Sequence, residues 1–132
     1  MLKTILVAVD GGSTAQKVLQ ALGWLQVSQV TQVQLVYVRP PIPADSPADV
    51  PHPEPDLTPC LAWCQQMVSC DCSIKILTGD PAEEIVGWAA ATGAELILIG
   101  SRGLTGVERI LRQSVSAQVV ADAPCAVLVV HG

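Results

Sequence analysis

At 132 residues the chain is long enough to bury one core and too short for two; half of it is apolar, but only 3% is aromatic and there is no Phe, so Val, Leu, Ile and Ala must fill that core. A formal charge of -5 and a pI near 4.7 exclude a broad basic face, and with it binding to a nucleic-acid backbone. Five cysteines, an odd number with no CxxC pair, point to reduced thiols rather than a disulfide framework, and no apolar run approaches the length of a membrane span.

Residues 3 to 9 form a nearly continuous apolar run rich in β-branched residues, as a strand buried on both faces requires. Asp10 cuts the run off before a secretory signal could form, which makes a cytoplasmic protein the expectation. Gly11 and Gly12 turn the chain, Ser13 with Gln16 makes a capping box, and Ala15, Val18, Leu19, Leu22 and Leu25 recur at helical spacing. Val33 to Val38 is the second strand, parallel to the first because a helix separates them.

Residues 39 to 59 carry eight of the ten prolines together with Asp45, Asp49, Glu54 and Asp56, a composition for a long surface loop. His52 lies in it and is read as a solvated imidazole, since no second metal ligand is in reach by sequence. Thr58 and Pro59 start a short helix with Cys60, Trp63, Cys64 and Met67 along one face, a core stripe. These two cysteines, followed by Cys70 and Cys72, are read as small buried hydrophobes rather than metal ligands. Ser73 to Thr78 is an outer strand. Asp80 as N-cap, Pro81 at the first helical position and Glu83 at the third make the strongest helix start in the chain; Ala82, Ile85, Val86, Ala89 and Ala90 are its expected buried face, and Gly93 its end.

Leu96 to Ile99 is a buried strand that empties into a glycine-rich loop from Gly100 to Ser116. Gly100, Gly103 and Gly106 admit backbone turns closed to other residues, and amides bared in such a loop can point at an anion. Arg102, Arg109 and Arg112 lie here, three of the seven basic residues; a phosphate contact and a merely solvated face are both open to Arg109 and Arg112. Ser114 opens a helix that runs to about Asp122, and its N-terminus offers free amides and partial positive charge. Ala126 to Val130 is the last strand.

Five strands alternating with four helices predict one α/β domain over residues 1–132, a doubly wound parallel sheet with helices on both faces. Ligands of such sheets sit outside the carboxyl ends of the strands where successive connections diverge, which would set Asp10 and Gly100 at one crevice. Two roles are open to Asp10: accepting from a base or ribose, and holding the Gly11–Gly12 turn. Neither GxxxxGK[ST] nor GxGxxG is present.

Val7 to Asp10, Thr78 to Pro81, Gly100 to Gly103, Gln113 to Ser116 and Ala123 to Val130 together resemble the universal stress protein family over essentially the whole chain. The resemblance implies a five-stranded sheet of order 3-2-1-4-5 and dimerisation through the last strand. It also implies a site for ATP or another adenine nucleotide, with magnesium as an optional companion. In that site Asp10 and Val38 frame adenine and ribose; Gly100, Arg102 and Gly103 lie beside ribose and phosphates; Ser114 and Ser116, with Val115 between them, bring donors to phosphate oxygens. Gln113 stands where the family motif has its third glycine. A side chain there can block the approach of phosphate or donate its own amide to it.

The leading expectation is a nucleotide-responsive binding module, not an enzyme, with no catalytic or metal residues. Water attack on a phosphoryl group needs charge stabilisation, and the loop offers serines without a companion lysine or second carboxylate. The alternative is a ligand-independent homodimeric interaction protein whose loop Gln113 closes to ATP, with the apolar edge strand Ala126 to Val130 self-paired.

Overall fold

The computed structural model describes residues 3–10, 14–25, 31–39, 56–101 and 115–131. Five parallel strands, β1 (Thr4–Ala8), β2 (Gln32–Arg39), β3 (Asp71–Thr78), β4 (Leu96–Ser101) and β5 (Ala126–His131), form one sheet of order β3-β2-β1-β4-β5. Between them run α1 (Thr14–Leu22), α2 (Thr58–Met67), α3 (Pro81–Thr92) and α4 (115–122). The expected strand order and doubly wound architecture are therefore present.

Alternation along the strands divides the core. Ile5, Val7, Val9, Val33, Leu35, Leu96 and Leu98 face the layer made by α1 and α2, with Val18, Leu19, Leu22, Leu57 and Cys64 packed on them. Leu6, Val36, Ile97 and Ile99 face the opposite layer, closed by Ala82, Ile85 and Ala89 of α3 and Val119 of α4. Right-handed crossovers produce this split: the chain steps one way from β1 to β3, then crosses and steps the other way to β4 and β5. Period-2 alternation with both faces covered explains why the central strands read as unbroken apolar runs.

The start of α3 follows its local chemistry. The Asp80 carboxylate accepts from the backbone N–H of Glu83 at 3.1 Å, Pro81 follows, and Gly93 ends the helix at φ 68° with its N–H on the Ala89 and Ala90 carbonyls. Two sequence expectations are corrected here. Ala90 is exposed, and the half-buried Trp88 takes part in the packing instead, donating from its indole N–H to Gln34 of β2. Gly100 is not a loop residue: β4 runs on through Gly100 and Ser101 because β5 pairs with both, at Val130 and His131. Among the described residues only Gly79 and Gly93 adopt positive φ, so Gly100 sits in an extended strand rather than a turn.

Candidate functional site

The parallel register brings three of the expected residues to one edge. Ala8 pairs with Val36 on one side and Ile99 on the other, and the N–H of Val9 continues the ladder to the Val36 carbonyl at 2.9 Å. Counting two residues on from those pairs sets Asp10 level with Val38 on β2 and with Ser101, next to Gly100, on β4. Neighbouring strands lie about 4.8 Å apart, so the flanking strands stand roughly 10 Å from one another across Asp10. Asp10, Val38 and Gly100 are each half-buried, as residues lining the mouth of a crevice should be.

Helix direction adds to the electrostatics of this edge. Each helix follows the carboxyl end of a strand and returns toward the amino end of the next; α4, for example, precedes β5, whose first residue Ala126 pairs with Leu96 at the start of β4. The N-termini of α1, α2 and α3 are thus directed to the edge that holds Asp10, where their partial positive charge favours an anion. In the first turn of the described part of α4, Val115 packs in the same apolar layer as Val38, and Ser116 is buried at 6% exposure. The expected phosphate side of the site therefore includes one hydroxyl folded into the domain. Arg102, Gly103, Gln113 and Ser114 lie outside the described residues, as do Gly106, Arg109 and Arg112, the Gly11–Gly12 turn with Ser13, and most of the proline-rich loop including His52.

Sequence reasoning placed Cys60 only on a core stripe, and the structure gives it a second neighbourhood. Burial pushes the Cys60 thiol above its ordinary value, and the carboxylates of Asp10 and Asp56 push it the same way. The first turn of α2 therefore stands within electrostatic reach of Asp10. Leu57, directly before the helix, is buried in the same layer as Val9. The only sequence signal for this was that α2 begins where the loop from β2 returns to the sheet. Beyond Val38, Arg39 ties β2 to β3 at this edge: its Nε donates to Thr78 Oγ1 at 3.1 Å, and its carbonyl accepts from the Gly79 N–H at 3.0 Å.

Among the described residues no group of three or more His, Cys, Asp or Glu could hold a metal ion, and no helix is long and apolar enough to cross a membrane. What the edge brings together is a carboxylate, apolar side chains and helix N-termini, groups whose chemistry suits a ligand bearing both hydrogen-bond donors and negative charge.

Comparison with known proteins bears on this arrangement. A universal stress protein of Synechocystis is 29% identical over 96% of this chain and 96% of its own length. One from Methanocaldococcus jannaschii is 50% identical over a segment covering 42% of this chain, and that match spans 33% of the relative's length. Among solved structures, a universal stress protein in complex with cAMP superposes with a TM-score of 0.75 at 22% identity, covering 98% of this chain and 97% of the other. An Arabidopsis thaliana universal stress protein family protein with AMP bound gives a TM-score of 0.70 at 21% identity, with 98% and 90% covered. An Archaeoglobus fulgidus universal stress protein in complex with dAMP gives 0.66 at 21%, with 98% and 99% covered. Residues 1–131 match the universal stress protein family as a whole, and on that match, with the strand order observed, the chain belongs to the universal stress protein family.

Proposed function

We propose that this protein is a small binding module for an adenine nucleotide, held at the carboxyl edge of the sheet between β1 and β4. The observation that carries the reading is the register that sets Asp10 level with Val38 on one side and with Ser101, next to Gly100, on the other, at the point where the chain's connections diverge. Asp10 accepts from ribose or base, Val38 walls the base, and Gly100 leaves room for the ribose. Arg102, Gly103, Ser114 and Ser116 serve the phosphates, with Val115 anchoring their helix. Relatives of the same fold with cAMP, AMP and dAMP support the choice of ligand class. ATP with magnesium is the extended form of that ligand.

We read the module as a binder rather than a catalyst, since the 102–116 segment offers its serines without a companion lysine. Its output is a cytoplasmic stress response read by other proteins through the conformation of the loop and the dimer. β5 is an edge strand, and self-pairing across a two-fold axis covers its unpaired backbone. A dimer mass by light scattering at micromolar concentration is the expected result, and a monomer mass contradicts it.

Titration of the purified protein with AMP, cAMP and ATP by calorimetry tests the ligand class. Saturable binding that Asp10→Ala weakens at least tenfold is expected; no saturation with any of the three at millimolar concentration overturns the reading. Gln113 favours a second reading, in which the protein is a ligand-independent dimer. Replacing a motif glycine with Gln removes a close backbone contact worth about 1 to 3 kcal/mol, or roughly ten- to a hundredfold in affinity. If Gln113→Gly alone confers ATP binding, the natural loop is closed to triphosphates and the second reading holds.

A further inference from the structure

The layer between α2 and β3 contains a chemical feature that nucleotide binding does not use. Cys64, on the inner face of α2, is fully buried, and its Sγ lies 3.2 Å from Sγ of Cys72 on β3. The Cys72 thiol donates in turn to the Cys70 carbonyl at 3.7 Å, which holds it in place beside Cys64. Cys72 is half-buried, whereas Cys64 is fully buried, so of the two Cys72 is the more open to solvent.

We propose that Cys64 and Cys72 form an oxidant-responsive thiol pair, which a hydroperoxide closes into an intramolecular disulfide tying α2 to β3. The two sulfurs need to approach by only about 1 Å to reach bonding distance, and both already sit on packed elements facing one another. In the first step the Cys72 sulfur attacks the distal oxygen of the hydroperoxide; the O–O bond breaks, Cys72 becomes a sulfenic acid, and water or an alcohol leaves. In the second the Cys64 sulfur attacks the Cys72 sulfur. The S–S bond forms, the S–O bond breaks, and the hydroxyl departs with the Cys64 proton as water. Two thiols have then lost two electrons to one peroxide, and an external dithiol returns them by exchange.

The division of roles follows from environment. Burial pushes the Cys64 thiol far up, with Cys72 and Cys70 adding to the effect, so Cys64 does not initiate; it reacts second, giving up its proton to the hydroxyl that leaves the Cys72 sulfenic acid beside it. Cys70 is pushed up to about 11, chiefly by burial, which leaves it a poor competitor at neutral pH. Among the described residues no acidic or imidazole group completes a metal site with these sulfurs, so a thiol pair is the chemistry the cluster supports.

The full chain treated with graded hydrogen peroxide, quenched with N-ethylmaleimide and mapped by mass spectrometry without reduction tests the pair. Expected are a loss of about 2 Da, a peptide joining Cys64 to Cys72, and reversal by dithiothreitol. Of five thiols titratable in the unfolded reduced chain, two disappear. The melting temperature rises by roughly 5 °C or more on oxidation, because the bond restricts the unfolded chain. Cys72→Ser abolishes both the linked peptide and the rise, whereas Cys70→Ser leaves both. The proposal is overturned if Cys64 and Cys72 are recovered singly alkylated or as sulfinic acids, if Cys64 is found joined to another cysteine, or if the linked species forms only between chains.

Discussion

Helices α2 and α3 start from similar sequences, an acidic residue followed within three positions by proline, yet they are held by different means. At α3 the acid is itself the N-cap: Asp80 receives the Glu83 N–H, and Gly93 closes the other end in the left-handed conformation. At α2 the cap position is occupied by Leu57 with no side-chain hydrogen bond, and Asp56, one residue earlier, accepts from the Thr58 N–H at 3.0 Å on the exposed side. The C-terminus of α2 runs straight into extended chain at Val68. What secures α2 is tertiary: Leu57, Cys64 and Val68 are buried against the sheet, and Cys64 meets Cys72. One helix is specified mainly by its own ends, the other mainly by what it packs against.

Four experiments break or sharpen that contrast, each read as a denaturant or thermal midpoint. The largest effect is expected where α3 also depends on packing: Ile85→Ala removes a side chain only 4% exposed and costs about 2 to 5 kcal/mol. A smaller loss there would mean that the caps alone hold α3. Next is Gly79→Ala, at the turn that feeds α3. Its φ of 144° belongs to a region that side chains rarely enter, and the substitution costs about 1 to 3 kcal/mol even though the nearby Glu84 side chain can swing aside.

Third, Asp80→Ala should destabilise by about 1 kcal/mol through loss of the N-cap. Asp56→Ala, at the comparable acid before α2, should cost less, since Asp56 is exposed and its bonds go to Thr58 alone, outside the cap position. Equal losses at the two sites would remove the distinction.

The smallest effect is one of pH. Thiols around α2 are raised above their unfolded values, Cys70 to about 11, so the folded state holds their protons more tightly than the unfolded chain does. Their contribution is complete below the unfolded thiol value near 9 and is lost as pH rises toward 11. A melting temperature that declines over that window, with a shallower decline in Cys64→Val, is the expected outcome. Asp56 works in the opposite direction: its bonds to Thr58 lower its carboxyl below the usual range, so its contribution is present at neutral pH and fades on acidification through that lowered value.

Much of the architecture could be read from the chain because its signals were local. The β-branched runs of β1, β2 and β4, the Asp80–Pro81 start and the Gly93 stop act within a few residues of themselves, and the structure places the described elements where those signals lie. Boundaries shifted where a neighbour extended the pairing. β3 begins at Asp71 rather than Ser73 because β2 pairs with it from Gln32 onward, and β4 includes Gly100 and Ser101 because β5 does the same. Ala90 was misassigned because helical periodicity cannot tell which rim of an apolar stripe a large neighbour such as Trp88 will cover.

For the candidate site, sequence alone determined the residue types: a carboxylate after the first strand, a glycine in the fourth, and a glutamine and two serines at positions 113, 114 and 116. These depend on the order of residues along the chain and need no coordinates. Tertiary structure alone decided which of them share a surface. Asp10, Val38 and Gly100 are separated by tens of residues and become neighbours only because β2 and β4 take their register from opposite sides of β1. The same holds for Cys64 and Cys72, whose sulfurs meet because α2 packs against β3 in one apolar layer. Local chemistry follows from backbone preferences and nearby side chains, whereas proximity across a sheet follows from pairing and packing that no single segment encodes.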